Sequence, residues 1–353
     1  MKRLGFLIVI SVGLLVVTLQ KDRIALYLFT ENIEKLVSRD LRDELEDGIH
    51  VAFCGTGSPL PDLTRGGACT AVIAGKRVFL FDAGEGTAES LALMGILPSE
   101  VEMVFLTHFH SDHINGLGAL VLQHVFRGNV ATPLPVYGGP GVERVVNGFN
   151  EAFALDHKYR VAHHGAKAAP PKGLELSAFE VKIPEVGVRK IISNEGVSIE
   201  AFKVNHEPVA PAYGYRITYR GRTVVISGDT TYSENLVKFA TDADLLVHEA
   251  LAPQLISIIE KTAARHGRHG LEIVMRDIPG YHASPSDIVR VATASGVGAL
   301  ALTHVIPGLP GAWFDSLFTD GAEKGFNGEF WIMQDGDLIS LPIAGGQRKA
   351  NVY

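Results

Sequence analysis

The spacing of apolar residues divides the chain into unlike parts. LGFLIVISVGLLVVTL, Leu4 to Leu19, is apolar and uncharged and stands between Arg3 and the charged Lys21, Asp22 and Arg23. No polar face interrupts it at helical spacing, so residues 1–20 predict a signal or membrane-anchor helix rather than an amphipathic one. About 16 helical residues rise about 24 Å, against roughly 30 Å of hydrocarbon core, with Arg3 and Lys21 placed to snorkel. VTLQKDR lacks the small residues of a cleavage site, which favours a retained anchor. The basic residues ahead of the run would leave the bulk of the chain outside the cytoplasm, periplasmic in a bacterium. Residues 21–48, ending in SRDLRDELEDG, predict a charged helical connector with Arg42 and Glu46 four apart.

From His50 onward, short apolar runs alternate with glycine turns. HVAFCGTGS, CTAVIAG, RVFLFDAGEG and VEMVFLT predict strands, with helices over AESLALMGI and INGLGALVLQHVF. Residues 158–173, KYRVAHHGAKAAPPKG, hold no sustained period and predict a loop long enough for a lid or substrate rim. SIEAFKV, YGYRITY, RTVVISG and DLLVHEA predict further strands. HASPSDIVRVATASG predicts a helix, with Ser284 as N-cap, Pro285 at its first position, Asp287 closing a capping box and Gly296 at its stop. ALALT is then a strand leading into His304. No internal repeat or second boundary breaks residues 49–345, which read as one α/β domain with a short tail, 346–353.

Composition narrows this picture only a little. Of 353 residues 46% are hydrophobic and 20% charged, enough for a sizeable core. The net charge of -7 gives no general pull toward nucleic acid and so disfavours an RNA partner. Cys54 and Cys69 lack C-x-x-C spacing and are too few for a disulfide framework; they read as buried thiols in preference to a single bridge.

The densest candidate chemistry lies in THFHSDHING, where His108, His110, Asp112 and His113 crowd together directly after a strand of core type. If protonated, these groups would repel one another, whereas a divalent cation favours neutral imidazole and ionised carboxylate at once. The cluster therefore reads as a metal site. Taken singly, His206, Asp229 and His304 are ordinary strand-end or turn residues. His163 and His164 suit a substrate-facing loop and a solvated one equally, and His266 and His269 read as solvated. The glycines of CGTGSPLPDLTRGG and FDAGEG do not fit the spacing of a phosphate loop and read as tight turns.

The H-x-H-x-D-H motif, between VEMVFLT and INGLGAL, resembles the metal-binding loop of metallo-β-lactamase-fold hydrolases. KVNHEPVAPAYGYRI, VVISGDTTYSENL, LLVHEA and ALALTHV resemble, in order and spacing, the ribonuclease Z and arylsulfatase-like branch of that family. The resemblance implies a four-layer αββα sandwich and two divalent metal ions, zinc in the first place, with manganese or iron compatible with the ligand types. By position, His108, His110 and His206 would hold one ion and Asp112, His113 and His304 the other. Asp229 would bridge them beside a bridging hydroxide that acts as nucleophile. Asp112 would also position that nucleophile, while His248 would protonate the leaving group, oriented by Glu249. His282, ahead of a helix start, and Arg65, from the first glycine loop, are the expected substrate-binding residues.

Ribonuclease Z proteins commonly insert a long arm between the GYR and SGD strands to grip tRNA. Here YGYRITYRGRTVVISGD crosses from one to the other with only a short turn. The resulting expectation is an exported or membrane-anchored hydrolase of a small anionic ester, an aryl sulfate or phosphate ester, and a homodimer is compatible with it. A tRNA 3′-processing endonuclease is the alternative, and a non-catalytic metal-binding protein the reading of a different class.

Overall fold

Strands buried on both faces dominate the computed structural model, which describes residues 2–128, 130–184 and 187–353, with side chains from residue 20 onward. β1 (Gly48–Gly55), β2 (Cys69–Ala74), β3 (Arg77–Phe81), β4 (Val101–Phe105), β5 (Leu134–Gly138) and β6 (Leu176–Glu180) belong to one sheet. β7 (Arg189–Asn194), β8 (Val197–Val204), β9 (Ala212–Tyr219), β10 (Arg222–Ile226), β11 (Leu245–Leu251), β12 (Ala299–Ile306) and β13 (Glu329–Ile332) form the second. β14 (Asp337–Pro342) and β15 (Arg348–Asn351) return to the first, so the last residues of the chain supply an edge strand. The orders are β15-β14-β1-β2-β3-β4-β5-β6 and β13-β12-β11-β10-β9-β8-β7.

Side-chain alternation along each strand builds the layers. Ile49, Val51, Phe53, Phe79, Phe81 and Phe105 face Tyr213, Tyr215, Ile217, Val224 and Val247 across the gap between the sheets. The opposite face of the first sheet, with Ala52, Ile73, Leu80 and Val104, is covered by helices. After α1 (Lys2–Ser38) and α2 (Leu41–Glu44), these are α3 (Thr87–Leu93), the single turn α4 (Ser111–Ile114), α5 (Leu117–Gly128) and α6 (Val142–Ala168). α7 (Glu234–Ala240), α8 (Pro253–Arg265), α9 (His269–Asp277) and α10 (Pro285–Ser295) follow. Leu236 of α7 and Ile288, Val291 and Ala292 of α10 cover the outer face of the second sheet at Val225, Leu246 and Leu300. This is the expected αββα sandwich. Because both faces are covered, the strands read as near-continuous apolar runs.

Local signals account for several boundaries. Ser284 Oγ accepts from Asp287 N at 3.2 Å and donates to the Asp287 carboxylate at 2.7 Å, and Gly296 closes α10 at φ 67°. The link between β9 and β10 is a two-residue turn, Arg220 (φ 46°) and Gly221 (φ 87°), the left-handed pair that matches the twist of a hairpin.

Two expectations change, and a third falls outside the described side chains. Residues 158–168 are not a loop: they continue α6, whose break falls at Gly165 (φ 74°, ψ 158°). Ala162, Ala166 and Ala168 supply high helix propensity there, which outweighs the lack of an apolar period. Cys54 and Cys69 are not free thiols but a disulfide, since adjacent strands bring their Cα atoms to 5.0 Å. The apolar run expected to anchor the chain has side chains outside the described residues. Among the described residues no helix is long and apolar enough to cross a membrane.

Candidate metal centre

The candidate ligands gather where strands end. The loop after β4 carries His108, His110, Asp112 and His113; His206 follows β8 and Asp229 follows β10. His304 is reached differently. Glu249 pairs with Thr303 and Ala250 with Val305, so His304 is the extra residue of a β-bulge, at φ 46°. A bulge re-aims a side chain, and this one turns the imidazole toward the centre. Glycine makes room beneath the loop: a Cβ on Gly84 would lie 2.2 Å from the Asp112 carbonyl oxygen and 2.6 Å from Ala68 N.

Two sets of donors converge, His108, His110, His206 and Asp229 in one, Asp112, His113 and His304 in the other, each within 4.8 Å of one another. Asp229 Oδ2 stands between them, 3.3 Å from His113 Nε2, 3.7 Å from both His108 Nε2 and His304 Nε2, and 3.9 Å from His206 Nε2. His304 Nε2 lies 3.0 Å from Asp112 Oδ2.

Outward hydrogen bonds orient the rings. His113 Nδ1 lies 2.8 Å from Asp82 Oδ2, His206 Nδ1 2.8 Å from the Tyr281 carbonyl oxygen, and His108 Nδ1 3.1 Å from Thr107 Oγ1. With these nitrogens donating, each Nε2 presents a lone pair to the centre. His110 Nδ1 adds another, 2.9 Å from His108 Nε2 and 3.4 Å from His206 Nε2. Lone pairs so close have no mutual hydrogen-bonding solution that serves all of them; a cation serves them together.

The electrostatics agree. Burial, with His113 nearby, pushes His108 well below its ordinary value, and burial lowers His110 and His206 as well, so these rings are neutral, as a ligand must be. Burial opposes ionisation of Asp229, yet His304 and His113 hold its carboxyl well below the usual range. Burial likewise opposes the charge on His113, but Asp229 and Asp82 raise it well above the ordinary value, so two carboxylates here hold on the imidazole a positive charge that a metal ion would take over. The donor set therefore fits divalent metal ions.

The structure separates the expected acid, His248, from the carboxylate expected to orient it, Glu249. Along β11, His248 shares the outward face of Leu246, while Glu249 shares the inward face of Val247. His248 is fully buried and its Nδ1 donates to the Glu249 carbonyl oxygen at 2.7 Å. It does not line the cavity at the centre. His282 does. Its Nδ1 is 3.2 Å from Glu249 Oε1 and 4.0 Å from Asp229 Oδ2, and Glu249, working against burial, raises its pKa. Glu249 Oε1 is itself held by Ala283 N at 2.9 Å and Thr230 N at 3.2 Å.

Arg65 is half-buried and donates through Nη1 to Thr56 Oγ1 and the Met333 carbonyl oxygen, both at 2.6 Å, bracing the loop it sits on. That loop lines a groove of about 680 Å³ running up to Asp112. His163 and His164 sit on the exposed far part of α6, and His266 and His269 are exposed around the α8–α9 turn; none lines the cavity at the centre. Asp82 was absent from the expected set. It follows β3 as Asp229 follows β10, and an acidic residue directly after a buried strand, in RVFLFDAG, was the available signal.

The model of the Metallo-beta-lactamase superfamily matches residues 63–304. The chain is 37% identical over 264 residues to Ribonuclease Z of Mycolicibacterium gilvum (strain PYR-GCK), covering 74% of this chain and 85% of that protein. It is 34% identical over 263 residues to Ribonuclease Z of Mycobacterium bovis, covering 74% and 87%. Two solved structures share the fold: the metallo-beta-lactamase fold protein YhfI from Bacillus subtilis (TM-score 0.60, 22% identity, 84% and 100% covered) and the short form of human tRNase Z (TM-score 0.59, 22% identity, 83% and 99% covered). The relatives named Ribonuclease Z overturn the expected membrane-anchored or exported location. That expectation rested on the apolar run alone, in a helix that continues to Ser38 through Lys21, Asp22 and Arg23.

Proposed function

We propose that this chain, which belongs to the metallo-beta-lactamase superfamily and to its ribonuclease Z branch, uses two divalent cations, zinc in the first place, to hydrolyse a phosphodiester near the 3′ end of a precursor tRNA. The observation that carries the two-cation reading is Asp229, whose Oδ2 faces imidazoles of both donor sets at 3.3 to 3.9 Å. His108, His110 and His206 would hold one cation and Asp112, His113 and His304 the other. Bound there, the cations supply an acidified water as nucleophile and Lewis acidity at the phosphoryl oxygen. The chain's own residues do the rest. Asp112 Oδ2, tied to His304, orients the attack. His282, with Nδ1 toward Glu249, offers Nε2 as the proton donor to the leaving oxygen, and Glu249, clamped by two backbone N–H groups, fixes the ring.

The names of the relatives favour RNA over the small aryl sulfate expected from sequence. One observation favours a second reading, a small anionic phosphate ester: the β9–β10 link is a two-residue turn with no arm to grip tRNA. Zinc-loaded protein incubated with a 3′-extended precursor tRNA, beside an aryl phosphodiester and an aryl sulfate, separates the two. Release of the trailer is the expected result, abolished in His110→Ala and Asp229→Ala. Turnover of the aryl phosphodiester with intact precursor would replace the RNA reading by the small-ester one.

A further inference from the structure

Next to the candidate metal ligands lies a second, chemically opposite surface. A cavity of about 250 Å³ is lined both by the polar His110, Asp112, Asp229, His282 and His304 and by the largely apolar Leu60, Val274, Met275, Ile278, Tyr281 and Ile306. All of these largely apolar residues but Val274 belong to a cluster separate from the cores between and outside the sheets, in which α9 packs with α8 against Leu251 and Ile306 at the strand ends. Met275 and Ile278 are buried, while Val274 at 47% exposure stands at the mouth. The Tyr281 ring is held in place edge-on to His206, centroids 5.5 Å apart, and tilted against His282 at 5.0 Å.

A phosphoryl group belongs at the polar part of the lining. A wholly polar substrate would then lose hydration against the apolar part of the lining for no return, so the ligand must present an apolar face there. The space suits one ring and not a base pair. Met275 can adapt its thioether to an aromatic edge, and Tyr281 offers a rigid ring beside the phosphate position. We propose that this cavity is a specificity pocket for one planar aromatic group attached to the scissile phosphate, a single unpaired nucleobase or an aryl group, gripped by Met275, Ile278 and Tyr281. It rests on the phosphodiesterase reading only in placing phosphate at the cation centre.

Calorimetric titration of the zinc-loaded protein tests this without turnover. The ligands are methylphosphonate, phenylphosphonate and the 5′-methylenephosphonate of uridine, none of which has an ester bond to break. The two aromatic ligands should bind about tenfold tighter than methylphosphonate, as expected for stacking one ring. Tyr281→Ala should bring that ratio toward one. So should Val274→Trp, which plugs the mouth from a half-exposed position and so does not depend on repacking the core. Tighter binding of the uridine ligand assigns the pocket to a nucleobase, and tighter binding of phenylphosphonate to an aryl ester. Equal affinities for all three ligands, or a ratio that survives Val274→Trp, would overturn the pocket. Intact precursor tRNA together with a retained aromatic preference would remove the RNA reading and leave the pocket standing.

Discussion

Asp82→Asn isolates the group placed to orient one candidate metal ligand, His113. Asp82 sits at φ 58°, a left-handed conformation that asparagine tolerates, so the backbone survives the change. Its Oδ1 accepts from Thr107 N at 2.8 Å, and its Oδ2 accepts from Thr107 Oγ1 at 2.8 Å and faces His113 Nδ1 at 2.8 Å. In the variant the amide oxygen can keep Thr107 N, but the amide NH₂ then meets the Nδ1–H of His113 donor to donor. His113 cannot relieve this by moving its proton, because Nε2 must stay unprotonated toward the centre. Losing a buried charge-assisted hydrogen bond costs about 1.5–3 kcal/mol. A lost partner of a metal-bound histidine typically weakens metal binding about 10- to 100-fold, which is about 1.4–2.8 kcal/mol, and the two estimates agree. Zinc affinity, read by competition with a chromophoric chelator, should fall by that factor while metal-free protein melts within a few degrees of wild type. Asp82→Ala should do worse in both measurements, since it also leaves Thr107 N without its acceptor, at about 1–3 kcal/mol. Zinc affinity within twofold of wild type in folded Asp82→Asn would refute the orienting role and reduce Asp82 to a brace for Thr107.

Other consequences are independent of that residue. Gly84→Ala puts a Cβ against the Asp112 carbonyl and the Ala68 amide, so both thermal stability and zinc content should fall, and normal values for both would show that the two backbones can separate freely. Replacing both Cys54 and Cys69 by serine opens a closed loop of sequence separation 15, for which chain entropy predicts a loss of about 3 kcal/mol in urea titration; no change in the midpoint would argue against the bridge. Burial lowers the pKa of both His50 and His124, which lie outside the metal centre. The unfolded chain therefore binds more protons below about pH 6.5, and stability is lost as pH falls from there through the lowered folded values. The double variant His50→Gln, His124→Asn should flatten this dependence in chelator-treated protein, and an unchanged slope between pH 7.5 and 5.5 would contradict the assignment.

Much of the fold was legible before any coordinates. Buried strands announce themselves through runs such as VEMVFLT and RTVVISG, because both faces of each strand are covered and apolar residues must follow one another. Ser284, Pro285 and Gly296 mark α10 because capping is local chemistry. The far part of α6 was missed since alanine carries helix propensity without any apolar period, and the Cys54–Cys69 bridge since strand neighbours are not sequence neighbours. The candidate metal ligands were reached through a motif and its ordered companions, whereas Asp82 and the pairing of His282 with Glu249 were not.

By itself the sequence determined which groups could bind metal and which segments would be strand or helix, because donor chemistry and periodicity are properties of residues and their near neighbours. Tertiary structure alone decided which side of β11 each residue faces, that His304 sits on a bulge, and that Glu249 pairs with His282 rather than serving His248. Those outcomes depend on strand register and on backbone from β11 meeting backbone ahead of α10, distances that no local pattern encodes.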